Sequence, residues 1–127
     1  MAYAAAYTPL PTPQAAREEE SLVFRLAARR LRDAADRKAR NAALGINHEI
    51  WSHMFRDLNA AENRLPPILK QDCLTLARWS LDYSTRALLK DLPLQPLIDI
   101  NEQVADGLAA PAAAGASSGV TWMPAMA

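Results

Sequence analysis

LPPILKQDCLTLARWSLDYSTRALLK, residues 65–90, is the stretch on which the fold of this 127-residue chain turns. On a helical wheel its one polar stripe is Gln71, Thr75, Arg78, Asp82 and Arg86, recurring at three- and four-residue steps. Leu69, Cys73, Leu76, Ala77, Ser80, Leu81, Tyr83, Ala87 and Leu88, with Trp79 at one margin, fill the rest. They cover roughly 220° of circumference, where an ordinary surface helix buries about 100°. Such a helix needs neighbours on two sides. Pro66 and Pro67 suit a first turn, whose N–H groups have no helical partner. Asp91, Leu92 and Pro93 end it. The expectation is a small all-α protein, a four-helix bundle arranged around this buried segment.

Upstream, Leu44, Asn47, Trp51, Met54 and Leu58 repeat at helical steps, widened by Ile50 and Phe55, and predict a helix to about residue 60 with Asn41 as its N-cap. Trp51 belongs to its core stripe. Gly45 inside this helix points to close contact or a frayed first turn. Residues 61–64 make a connection short enough for an antiparallel pair. An earlier helix is predicted over about residues 15–39, with Glu18, Glu19 and Glu20 at its start and Arg37, Lys38 and Arg40 at its end, as the helix dipole favours. Its apolar face reads Val23, Phe24, Ala27, Leu31, Ala34 and Ala35, flanked by Leu22 and Leu26, and Arg30 falls inside it. A fourth helix follows Pro93, marked by Leu94, Leu97, Ile98, Asn101, Val104, Ala105 and Leu108. Three units result: an extended arm over residues 1–14, where Pro9, Pro11 and Pro13 exclude helix and ladder strand; a helical domain over 15–109; and a tail over 110–127. That tail is mostly Ala, Gly, Ser and Pro, a composition that predicts disorder, yet it carries Val120, Trp122 and Met123.

Composition limits the function. The chain is long enough for one core. Fourteen basic and fourteen acidic residues cancel, so no net field draws it to nucleic acid or to an anionic membrane. The charge is uneven along the chain, however: residues 25–40 hold seven bases against two acids, and residues 91–106 hold four acids and no base. Complementary packing of these two segments is the simplest account. Cys73 is the one cysteine, which fits a reducing compartment. No run approaches the ~20 apolar residues that span a bilayer, and no basic segment precedes the first alanines as in a signal peptide. A cytoplasmic protein is expected.

No catalytic constellation emerges. His48 and His53 are five apart and fall on different helix faces, which argues against a shared metal. No phosphate-binding glycine loop or nucleophile elbow is present. Asp99, Glu102 and Asp106 recur along one face and read as a solvated stripe. Neither a cofactor nor a small-molecule substrate is implied. Asn47 and Asn101 are polar where the period asks for apolar residues. Each either fixes register or offers a handle to something outside.

Asn47-x-x-x-Trp51, Asn63-x-Leu65-Pro66, residues 74–85 around Trp79, and residues 96–101 with the Gly107-Leu108 ending together resemble the flagellar biosynthesis regulator FlaF family. The resemblance covers roughly residues 42–109, and residues 17–20 look like the family's Arg-x-x-Glu entry. Asp82 and Tyr83 stand where the family commonly has an Arg-His pair, and Ala105 and Asp106 where relatives tend to be more apolar. The resemblance implies a non-enzymatic cytoplasmic protein needed for flagellin production and export, with flagellin as partner and FlbT beside it. An amphipathic flagellin helix laid in a groove of the bundle would then meet Asn47, Asn63, Trp79 and Asn101. The alternative is a post-transcriptional regulator acting on flagellin message or through FlbT, its contact the Arg25, Arg29 and Arg32 face.

Overall fold

Helices α1 (Pro13–Asp33), α2 (Arg37–Asn59), α3 (Pro67–Leu89) and α4 (Gln95–Ala109) follow one another along the chain. The computed structural model describes residues 12–63 and 65–110, and no strand occurs among them. Residues 1–11 of the arm expected over 1–14, and residues 111–127 of the tail expected over 110–127, lie outside the described residues.

Each boundary has a local cause. Thr12 accepts a hydrogen bond from the Ala15 N–H at 3.1 Å, so α1 starts with Pro13 in its first turn, two residues earlier than the periodicity suggested. The predicted helix over 15–39 is in fact two. Asp36 accepts from the Ala39 N–H at 2.8 Å and caps α2, so the chain breaks over residues 34–36 and Asn41 sits inside α2 rather than at its cap. The bases assigned to the end of one helix therefore open the next, where the dipole disfavours them. Contacts elsewhere offset this. Arg37 pairs with Asp91 at 2.6 Å. Arg40 donates through Nη2 to the carbonyls of Ala87, Lys90 and Leu92 at 3.3, 3.4 and 2.7 Å, supplying donors to the carbonyls left over at the end of α3.

α1 packs chiefly on α4, and α2 chiefly on α3. Both pairs are antiparallel: Ser21 meets Ala105 while Arg32 meets Glu102, and Asn47 lies level with Ser84 while Leu58 meets Cys73 and Leu74. The two pairs share a core. One cluster joins Phe24, Trp51, Leu76, Ala77, Ile100, Val104 and Ala105, and a second joins Ala28, Leu31, Ala43, Leu44, Ala87, Leu97 and Ile98. Phe24 meets Trp51 edge to face, ring centres 5.1 Å apart.

Two expectations about faces need correction. α3 has neighbours on two sides, α2 closely and α4 more lightly, but its buried arc is narrower than predicted. Its Leu88 and Leu89 are exposed, as is Ile68. The α1 core face is Ser21, Phe24, Ala27, Ala28 and Leu31, rotated from the predicted one, so Val23 turns outward with Leu22 and Leu26, and Arg30 is exposed. The expected charge complementarity is present. Arg25 pairs with Asp106 and Arg32 with Glu102, each at 2.8 Å, across the α1–α4 seam.

Candidate functional site

Asn47, Trp51 and Asn101 meet in the centre of the bundle, each with no exposed surface. The Trp51 indole N–H donates to Asn101 Oδ1 at 2.8 Å, and Asn101 Nδ2 donates to Asn47 Oδ1 at 2.6 Å. Asn47 Nδ2 then donates to Ser84 Oγ at 2.7 Å, and that hydroxyl donates to the Ser80 carbonyl at 2.7 Å. This chain ties α2 to α4 at one end and to α3 at the other. Each amide uses both its oxygen and its nitrogen, so burial leaves neither asparagine side chain without a partner. Of the two readings open to these asparagines, the geometry matches the register-fixing one: they face each other, and nothing outside touches them. The small residues Ala77, Ser80, Ser84 and Ala87 form the buried α3 face beside them. Ser80 Oγ is a buried hydroxyl with no partner.

The other two residues expected at a flagellin surface lie elsewhere. Asn63 is in the α2–α3 connection, where its Oδ1 accepts from the Leu65 N–H at 3.1 Å and its carbonyl from Lys70 Nζ at 3.2 Å. It shapes the approach to Pro66 and Pro67. Trp79 is half-buried and stacks on Tyr83 with ring centres 5.0 Å apart. Tyr83 in turn donates its hydroxyl to the Pro93 carbonyl at 2.8 Å, and Asp82 pairs with Arg86 at 2.9 Å. The two residues that depart from the family's Arg-His pair thus anchor the α3–α4 turn and the α3 surface. No groove joins Asn47, Asn63, Trp79 and Asn101 in this closed bundle. One shallow hollow of about 300 Å³ is instead lined by Ala34, Ala35, Asp36, Arg37, Arg40 and Leu94.

Among Arg25, Arg29 and Arg32, the first and last are held by Asp106 and Glu102, and Arg32 is raised in pKa by that hydrogen bond and charge. Beside them lies a feature that periodicity had placed on the apolar face, in Val23, or flanking it, in Leu22 and Leu26. Leu22, Val23 and Leu26 are 65%, 46% and 51% exposed, three large apolar side chains grouped on the outer side of α1. The missed signal is Ser21, which takes the buried place by donating to the Ala105 carbonyl at 2.7 Å.

Titratable groups show little that suggests catalysis. The Cys73 thiol is pushed up to about 11 by burial and by the nearby Asp72 charge. Glu20 is raised by desolvation and by Asp57, with His53 acting in the opposite sense. No cluster of metal-ligating side chains occurs among the described residues, and no described helix is long and apolar enough to cross a membrane.

Compared with known proteins, the chain matches over residues 1–108 the family described as flagellar protein FlaF. No match was found among curated proteins or solved structures. The family match spans the arm, all the connections and the helices almost to the end of α4, and the chain belongs to the FlaF family of flagellar proteins.

Proposed function

We propose that this protein is a non-enzymatic flagellum biogenesis factor that binds flagellin in the cytoplasm and supports its synthesis and export as a chaperone and regulator. One observation carries the choice of surface: Leu22, Val23 and Leu26 stand exposed together on a helix whose opposite face is locked into the core. An amphipathic flagellin terminus, unassembled before export, would bury its own apolar anchors there. Arg29 and Arg30 lie exposed within two turns and suit an acidic edge on that helix. Asn47 and Asn101 support the surface from within by fixing helix register and would meet flagellin only in an opened bundle, whereas Trp79 and Asn63 are part-exposed.

The rival reading, a regulator contacting flagellin message or FlbT through Arg25, Arg29 and Arg32, is weakened by the ion pairs that already occupy two of those three. Calorimetric titration of monomeric flagellin separates the readings. A Leu22→Ser, Leu26→Ser variant with unchanged helicity should bind at least tenfold more weakly, because each buried leucine is worth about 1.5–3 kcal/mol. Wild-type affinity should respond little to salt. Equal affinity in the variant would remove flagellin from this face. RNA binding that falls steeply from low to physiological salt would favour the regulator.

A further inference from the structure

The exposed α1 face has a candidate occupant within this same chain. α1 and α4 are antiparallel, with Ser21 Oγ 2.7 Å from the Ala105 carbonyl oxygen and Arg32 Nη2 2.8 Å from Glu102 Oε2. Ala110, the C-cap of α4, therefore leaves the fold beside the first half of α1. From Ala110 to the level of Leu22 and Leu26 is about 12 Å along the axis, at 1.5 Å per residue. The chain then continues through residues 111–119, made only of Pro, Ala, Gly and Ser, before reaching Val120, Trp122 and Met123. Nine residues of that composition span about 15–18 Å as a coil. They span ~30 Å at full extension. The spacer thus reaches the outer side of α1, and Leu22 is adjacent in sequence to the seam residue Ser21.

Two apolar groups are thereby tethered within reach of each other. Leu22, Val23 and Leu26 form one and Val120, Trp122 and Met123 the other. Ile68, Leu88 and Leu89 are also exposed, but they lie at the two ends of α3 and offer no comparable group beside the exit of α4. The segment lies beyond the 108 residues shared with the family. We propose that residues 120–123 seat on the Leu22, Val23 and Leu26 face of α1 and shield it, so that an external partner must displace them. Tethering supplies a local concentration on the millimolar scale, enough to hold a contact of three side chains that would be negligible between separate molecules. That the displacing partner is flagellin rests on the function proposed above.

The test uses the full chain labelled with 5-fluorotryptophan, whose three tryptophans give separate fluorine resonances, Trp122 being assigned with Trp122→Phe. Its resonance should differ from that of a synthetic peptide of residues 111–127 and move to the peptide position in Leu22→Ser, Leu26→Ser, while those of Trp51 and Trp79 stay in place. A wild-type Trp122 resonance at the peptide position, or one unmoved by the double substitution, would overturn the proposal. So would a shift that appears only as protein concentration rises, since it would place the segment on a second copy. In a second arm, a chain ending at Ala110 should bind monomeric flagellin about threefold to tenfold more tightly than the full chain, the tether no longer competing. Binding by both chains with equal affinity would overturn the shielding. If neither bound, the flagellin reading would fail, and the fluorine result would still decide the docking.

Discussion

Asn47 and Asn101 each break an apolar stripe, and that break was visible in the sequence. Their mutual partnership was not, because it depends on α2 and α4 being brought level by residues far apart in the chain, with Asn101 Nδ2 2.6 Å from Asn47 Oδ1. Removing one amide strands the other's atoms in a dry interior. Asn47→Ala and Asn101→Ala should each destabilise by ~2–4 kcal/mol, and the pair by clearly less than the sum, a coupling of about 1–2 kcal/mol in a denaturant double-mutant cycle. The two neighbouring serines should behave oppositely. Ser84→Ala takes an acceptor from Asn47 and should cost about 1–3 kcal/mol, whereas Ser80→Ala deletes a buried hydroxyl with no partner and should be neutral or stabilising. Cys73 gives a pH signature. Its thiol titrates higher in the fold, near 11, than in the unfolded chain, so the stability it lends is full below about pH 9 and is lost as pH rises through 11. Cys73→Ser should flatten that alkaline limb of a stability–pH profile.

Among the elements, α3 and α4 were legible because proline and helical periodicity agree on where they start. The break between α1 and α2 was not. Ala34 and Ala35 are good helix formers, no glycine or proline interrupts, and the one local sign is Asp36, which competes as a cap against a continuous alanine-rich pattern. Basic residues misled in the same place, since Arg40 serves the end of α3 rather than of its own helix. Gly45, read as a sign of close contact or of a frayed first turn, has open space where a Cβ would sit and lies well inside α2. Gly45→Ala should therefore raise stability by about 0.5–1 kcal/mol in thermal or denaturant melting. The α1–α4 ion pairs were foreseeable from charge alone, but their side chains are 42% to 68% exposed, so they guide the register of the pair more than they stabilise it. Arg25→Ala should leave the melting midpoint nearly unchanged, and less affected still in high salt.

For the whole molecule, the sequence yields an all-α bundle and a flagellar family, both present in the structure and the family match. It does not yield the surface. A wheel cannot tell a buried polar residue from an exposed one until the neighbours of the helix are known, and Ser21 inward with Leu22, Val23 and Leu26 outward departs from the hydropathic assignment. We propose, as above, that a closed, internally satisfied bundle meets flagellin on its outer α1 face. Side-chain NMR of the protein titrated with monomeric flagellin tests it most directly, following the leucine methyls and the asparagine Nδ2 protons in one series. Shifts are expected at Leu22 and Leu26, with the Asn47 and Asn101 amide protons unmoved and slow to exchange throughout. Methyls of Leu22 and Leu26 that stay in place while those amide protons shift and become exchangeable would contradict it, showing that flagellin enters an opened core.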